Sequence, residues 1–263
     1  MTITTTIATN TTKEPQAPSF AGQTVAITGA CGAYGQDLAQ TFHKLGARLV
    51  LSDLAPQMAP LPGLPDGSFH YLQADLREAA GTESLIDRLL ALGTPNVLIN
   101  NAGLFPFVDL LDTSIQTWDD ILGVNLRTPF RLMQRIGAAM AQRGSGAICN
   151  ISSGAASVVR ENGAVYGASK AALEQLTRAF AVRLGPDGVR VNAVRPGLRH
   201  DTMNGMPNKH LQRVGNTVPL RRLAQPGEVT GVVAFLCSEA AAFITGEILS
   251  ADGGNGINRR IPL

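Results

Sequence analysis

Apolar residues along the chain fall into short runs that alternate with longer stretches of helical spacing. TVAIT (24–28), RLVLSD (48–53), FHYLQAD (69–75) and NVLIN (96–100) have the length and side-chain character of strands, as do AICNIS (147–152), RVNAV (190–194) and EILSA (247–251). Between the first two, Leu38, Phe42 and Leu45 recur at helical spacing. Trp118, Ile121, Val124 and Phe130 predict a helix before the fifth run. Ala168, Ala171, Leu176 and Phe180 predict one after it, and Val229, Val232, Val233 and Leu236 another before the last. The alternation predicts an α/β fold, a doubly wound parallel sheet of seven strands with helices on both faces. APQMAPLPGLPDGS (55–68) holds four prolines and is expected to be a loop with at most one helical turn.

Composition narrows the classes of function. With 22 Lys+Arg against 20 Asp+Glu, the net charge of +2 makes no electrostatic case for nucleic acid or an anionic membrane. No apolar run approaches the roughly 18 residues needed to cross a bilayer. Residues 1–20 are rich in threonine, carry only Lys13 as a basic residue, and read as a disordered tail rather than a signal or transit peptide. A single domain over 21–263 is expected to follow. Cys31, Cys149 and Cys237 are scattered without metal-ligand or disulfide spacing, which predicts no metal and a reducing, cytoplasmic setting.

TGACGAYG (28–35) lies between the first strand and the first helix. Glycines at such a turn let backbone N–H groups approach a pyrophosphate at the helix N-terminus. Asp53 ends the second strand, 24 residues after Gly29, where a carboxylate accepts hydrogen bonds from an adenosine ribose diol and repels a 2′-phosphate. Leu54 follows, and the loop contains no lysine or arginine, so NAD is favoured over NADP. Tyr166 and Lys170, in YGASK, are spaced to share one helix face, and an ammonium beside a phenol stabilises the phenolate. Taken alone, that spacing is common on surface helices, and the lesser alternative for Asp53 is a plain strand-end acid.

In combination and in order, these motifs resemble the classical short-chain dehydrogenase/reductase family from about residue 20 to 257. They include the glycine loop, Asp53, Ala74–Asp75, the NNAG of Asn100–Gly103 and Asn125 in VNLRTPF. Further on lie Ser153 in NISS, Tyr166 and Lys170 in YGASK, Pro196–Gly197, and ITGEILSADGG. The resemblance implies a Rossmann-like fold and an NAD(H)-dependent oxidoreductase interconverting a secondary alcohol and a ketone. It casts Tyr166 as general acid/base, Lys170 as the holder of the nicotinamide ribose, Ser153 as the group polarising the substrate oxygen, and Asn125 as organiser of a proton-exit water. It implies cofactor contacts from Gly29, Cys31, Gly32, Ala33, Tyr34 and Gly35 in the loop, and from Asp53 and Leu54. Asp75 and Leu76 are expected at the adenine, Asn101, Ala102 and Gly103 beside the cofactor, and Pro196, Gly197 and Thr202 around the nicotinamide. It also implies a homotetramer, with a dimer as the next choice.

Two departures stand out. The loop reads G-x-x-G-x-x-G through Gly32, with Ala33 where the classical branch has glycine, a spacing closer to the extended branch. After Gly197, Arg199 and Asp201 stand where an aliphatic residue and a threonine are usual, and Thr202 comes one place later. The polar stretch 198–222 is expected to be a substrate loop or lid. Arg160, Arg199 and His200 admit two readings, recognition of an anionic substrate group or solvated loop charge. Phe105 and Phe107 either line an apolar pocket or pack beneath the lid. Two rival functions are a lyase or isomerase using tightly held NAD transiently, and a cofactor-binding regulatory protein without catalysis.

Overall fold

The computed structural model describes residues 18–159, 161–199 and 208–257. Their strands are β1 (Thr24–Thr28), β2 (Arg48–Asp53), β3 (Phe69–Gln73), β4 (Val97–Asn100), β5 (Gly146–Ile151), β6 (Val189–Pro196) and β7 (Ile248–Ala251). All neighbours pair in parallel, in the order β3-β2-β1-β4-β5-β6-β7. The helices are α1 (Ala33–Lys44), α2 (Ala79–Ala91), α3 (Ile115–Leu122), α4 (Thr128–Arg143), α5 (Ala164–Leu184), α6 (Asn208–Thr217) and α7 (Glu228–Cys237).

Both faces of the sheet are covered, which explains why the inner strands read as unbroken apolar runs rather than alternating ones. Val25, Ile27, Leu49 and Ile99 face one core, with Leu38 and Phe42 of α1 and Val233 of α7. Ala26, Val50, Leu98 and Ile148 face the other, with Leu85 and Ile86 of α2, Ile136 of α4 and Leu173 of α5. The chain winds outward from β1 to β3, then crosses back to β4 and winds the other way. The crossovers after β1 and β4 therefore lie on opposite faces and leave a crevice at the carboxyl ends of those two strands.

The seven strands match expectation to within a few residues, the third stopping at Gln73. Residues 55–68 form no helix and instead fold back through a bridge between Leu61 and Leu64. Within 198–222, by contrast, lies the helix α6, so this segment is not simply a polar loop. The tail boundary at residue 20 also needs correction. Phe20 is fully buried, its ring centroid lies 4.8 Å from that of Phe42, and its N–H donates to the Leu45 carbonyl. An aromatic residue ahead of the first strand thus closes one end of a core.

Truncating Phe20 to alanine leaves a cavity and should destabilise the protein by about 3–5 kcal/mol. Phe243→Ala, at a fully exposed ring, should leave the urea midpoint unchanged. Chemical denaturation of both variants checks this pair.

Candidate active site

The crevice opens into a groove of about 810 Å³ lined by the glycine loop, Asp53, Leu54, Ala74 to Arg77 and Asn101 to Leu104. Gly29 has φ +68, and a Cβ there would lie 2.7 Å from the Ala102 Cα. A Cβ on Gly35 would fall 2.0 Å from the Gly29 carbonyl oxygen, so both positions require glycine. Gly32 is different, because its nearest neighbour would be the Gly29 oxygen at 3.6 Å. It stands at the N-cap of α1 without a side chain to cap the helix. The first-turn N–H groups of α1 have no partners within the helix, as an anion-binding turn requires.

Hydrogen bonds tie this loop to the neighbouring strand ends. The Asn101 amide donates to the Thr28 and Gly29 carbonyls at 3.0 and 2.9 Å. The Thr28 hydroxyl accepts from the Asn101 and Ala102 N–H groups, both at 3.1 Å. Asp53 accepts from the Cys31 N–H at 2.8 Å and from the Leu54 N–H at 2.7 Å, which fixes its carboxylate at the mouth of the loop. Burial raises the Cys31 thiol pKa, which disfavours the thiolate. Asp75 is held in a fork by Arg77, with Nη2 to Oδ2 at 2.6 Å, and this pairing keeps its carboxyl below the usual range.

A second cavity of about 510 Å³ joins the groove through Tyr34, Asn101 and Gly103, and contains Ser153, Tyr166 and Lys170. Tyr166 and Lys170 occupy the first two turns of α5. Lys170 is 3 % exposed, and its ammonium donates to the Ile151 carbonyl at 2.7 Å. It lies 5.7 Å from the centre of the Tyr166 ring. Burial lowers its pKa from 10.5 to about 8. Ser153 follows β5 and accepts the Ala155 N–H at 3.1 Å, which leaves its own hydrogen for another partner.

Asn125 lies in a π-helical turn, Gly123–Arg127, that joins α3 to α4. Such turns widen the helix and redirect side chains, often at functional sites. The Asn125 amide exchanges hydrogen bonds with both backbone groups of Leu104, at 2.7 and 2.9 Å, and donates to Ser169 Oγ at 3.1 Å. Ser169 in turn donates to the Tyr166 carbonyl. The asparagine therefore fastens the segment after β4 to the helix carrying Tyr166 and Lys170.

A family model described as "Enoyl-(Acyl carrier protein) reductase" matches residues 29–255. D-threitol dehydrogenase of Mycolicibacterium smegmatis is 32% identical over 243 residues, covering 89% of this chain and 92% of its own. A putative short-chain alcohol dehydrogenase from Sinorhizobium meliloti superposes with a TM-score of 0.83 at 30% identity, covering 92% of this chain and 100% of its own. The chain belongs to the short-chain dehydrogenase/reductase family. Members of this family are oxidoreductases that bind NAD(P). One further structure is a putative NAD(P)-dependent gluconate 5-dehydrogenase from Beutenbergia cavernae that carries NADP at low occupancy. It has a TM-score of 0.82 and 30% identity, and covers 91% of this chain and 99% of its own.

Within this short-chain dehydrogenase/reductase, the loop glycines, Cys31, Ala33, Tyr34, Asp53, Leu54, Asp75, Leu76 and Asn101 to Gly103 all line the groove, while Pro196 and Gly197 line the inner cavity. Arg160, His200 and Thr202 lie outside the described residues. The reading of Arg199 as a substrate anchor is overturned. Its guanidinium is buried, pairs with Asp37 of α1 at 2.5 Å, and lies 5.0 Å from the Tyr34 ring centre. A charge so enclosed is held by its partner rather than offered to a ligand. Tyr34 itself donates from its hydroxyl to the Gly197 carbonyl, bridging the groove from the glycine loop to the end of β6. Sequence reasoning gave no separate role to Thr28, Arg77 or the Asp252–Gly256 segment. Thr28 was visible as the residue that opens the loop motif. Asp252 binds the Gly254 and Gly256 N–H groups and so shapes one wall of the cavity.

Gly35→Ala should abolish NADH binding, whereas Gly32→Ala should retain it within a few-fold, as read by NADH fluorescence titration. Lys170 yields a pH prediction. Its folded pKa lies below the unfolded value, so the unfolded chain holds more protons between about 8 and 10.5. Stability should therefore rise with pH through that window, and the penalty of the buried ammonium is present in full below it. Urea unfolding at pH 8 and pH 10 should show this rise in the wild type and a flatter response in Lys170→Met.

Proposed function

We propose that the protein is an NAD(H)-dependent dehydrogenase that interconverts a secondary alcohol and a ketone, with Tyr166 as general acid/base. The observation that carries this reading is the buried Lys170 ammonium beside the Tyr166 ring, in a cavity continuous with the dinucleotide groove. A nicotinamide bound between them supplies the acceptor or donor of hydride. Tyr166 takes the hydroxyl proton in oxidation and returns it to the developing alkoxide in reduction. The positive charge of Lys170 favours the phenolate, and Ser153 donates to the same substrate oxygen. Asn125 holds Leu104 against α5, keeping the path from Lys170 to solvent in register.

Asp53 supports NAD over NADP. Its carboxylate is fixed at the groove by two backbone N–H groups, and Arg77, a cation in the same groove, is already paired with Asp75. A 2′-phosphate about 5 Å from such a carboxylate is opposed by about 3 kcal/mol at an effective dielectric of 20, or roughly a hundredfold in binding. Assembly as a homotetramer is part of the same reading, supported by exposed apolar side chains such as Val182 on α5 and Trp118 on α3. Light scattering at micromolar concentration tests it.

Tyr166→Phe should lower kcat/KM by about 10²–10⁴ while NADH still binds. Unchanged turnover in that variant would remove Tyr166 from the chemistry. For the wild type, kcat/KM with NAD should exceed that with NADP by tenfold or more, and Asp53→Ser should narrow the ratio. A preference for NADP would overturn the role given to Asp53.

A further inference from the structure

The wall of the inner cavity is aromatic. Phe107, Phe105 and Tyr166 form a continuous ladder, with ring centroids 4.5 Å apart for the two phenylalanines and 4.4 Å for Phe105 and Tyr166. These spacings lie at the close end of favourable aromatic pairing. The ladder is built into the backbone. Gly163 has φ +103, and a Cβ there would lie 2.7 Å from Phe105 Cε2, so only glycine lets the ring seat against the start of α5. The Gly163 N–H donates to the Val108 carbonyl at 3.2 Å, and Asp109 bridges to Asn162. The strand of backbone carrying both phenylalanines is thereby zipped to the loop that leads into Tyr166.

The same cavity is lined by further apolar groups, Val158 and Leu198 among them. The Asp252 carboxylate also lines the cavity, but its two oxygens are already engaged by the Gly254 and Gly256 N–H groups. Among the described lining residues, the one cation is Lys170, which is buried and donates to a backbone carbonyl. The other arginine proposed for an anionic substrate, Arg199, is committed to Asp37 outside this cavity. The cavity thus offers Ser153 and Tyr166 as an oxygen-binding pair beside the aromatic surface of Phe105 and Phe107. Of its other polar side chains, Asn101 is bonded to Thr28 and Gly29 and Ser152 to Glu174, leaving Asn255 as a further amide on the lining.

We infer that the substrate is a cyclic, apolar-bodied secondary alcohol or its ketone, an alicyclic or aryl carbinol laid against Phe105 and Phe107, rather than an open-chain polyol. This rests on the dehydrogenase reading and adds the substrate class to it. A ring stacked on the ladder reaches Tyr166 with its carbinol while its hydrocarbon body leaves water. A polyol would instead place additional hydroxyls against aromatic carbon, and each hydroxyl buried without a partner weakens binding by roughly tenfold. Phe107 is 62 % exposed without ligand, so a flat substrate has open ring surface to cover.

The experiment compares kcat/KM with NAD for cyclohexanol, 1-indanol and 1-phenylethanol against threitol and galactitol, using wild type, Phe107→Ala and Phe107→Leu. Binding of cyclohexanone and 1-indanone to the protein–NADH complex is followed in parallel by saturation-transfer NMR. The expected result is a preference of at least thirtyfold for cyclic alcohols, lost by tenfold or more in Phe107→Ala and largely kept in Phe107→Leu, with NADH affinity unchanged. Polyols used as well as the cyclic alcohols would overturn the inference and leave the dehydrogenase standing. Binding of cyclic ketones without oxidation of any alcohol would uphold the pocket and sink the dehydrogenase reading. If cyclic compounds are neither bound nor turned over, the inference is overturned.

Discussion

A charged lysine with only 3 % of the residue exposed is expensive to keep, and much of the site follows from how this chain keeps it. The Ile151 carbonyl, freed at the end of β5, accepts one of its hydrogens, and the Tyr166 ring lies within reach of its field. Burial still shifts its pKa downward, so the compensation is incomplete. In the reaction proposed above, an incompletely compensated cation is what the proton transfer needs, since its surplus positive charge acts on the adjacent phenol. Satisfying that ammonium fully with a carboxylate would stabilise the fold and remove the effect. The nearby carboxylate, Glu174, is instead held by Arg195 and Ser152. Glu174 with Arg195, and Asp37 with Arg199, are thus neutralised in pairs, while Lys170 is held by a backbone carbonyl.

The second constraint is the crossing of directions between β1 and β4. It opens the crevice, but open ends of parallel strands carry unpaired backbone groups that need partners. Thr28 and Asn101 provide them, stitching the glycine loop to the turn after β4. Gly29 and Gly35 are fixed by contact with neighbouring backbone, and Gly32 is not. That difference accounts for the unusual glycine spacing. At Gly29 and Gly35 a Cβ would collide with backbone, while at Gly32, in the middle of the loop, space remains for one. Ala33 opens α1 without difficulty because its methyl lies at a helical position.

Much of this was legible from the chain because it depends on period and order. Seven apolar runs with helical spacing between them fix a parallel sheet, and motif order places the groove at its carboxyl edge. What resisted reading depends on contacts between segments distant in sequence. Arg199 looked like a solvent-facing or ligand-facing charge in a polar stretch. Its partner, Asp37, lies 162 residues earlier on α1, and nothing in local composition links the two. Phe20 was assigned to the tail because the residues before it are polar, although its burial is decided by Phe42 and the backbone of Leu45. Asn125 was identified through its motif, but the π turn that aims it is a matter of backbone hydrogen bonding that the residues GVNLR do not announce.

The distribution of rigidity separates the reaction from its specificity. Ser153, Tyr166 and Lys170 sit at the end of β5 and on the first turns of α5, both packed into the sheet and both central to the fold. Phe105 and Phe107 sit on the segment after β4, and Leu198 on the segment after β6. In the reaction proposed above, the first group positions a proton and a substrate oxygen, so that any displacement there should cost rate for every substrate. The second group can change shape without disturbing the sheet, since loops carry few of its hydrogen bonds. Phe105 belongs to both sets, because its ring touches Tyr166 while its backbone is pinned to the loop before α5. On the substrate reading proposed above it couples the choice of substrate to the orientation of the phenol, so a substitution there should alter both at once, whereas one at Phe107 should alter the choice alone.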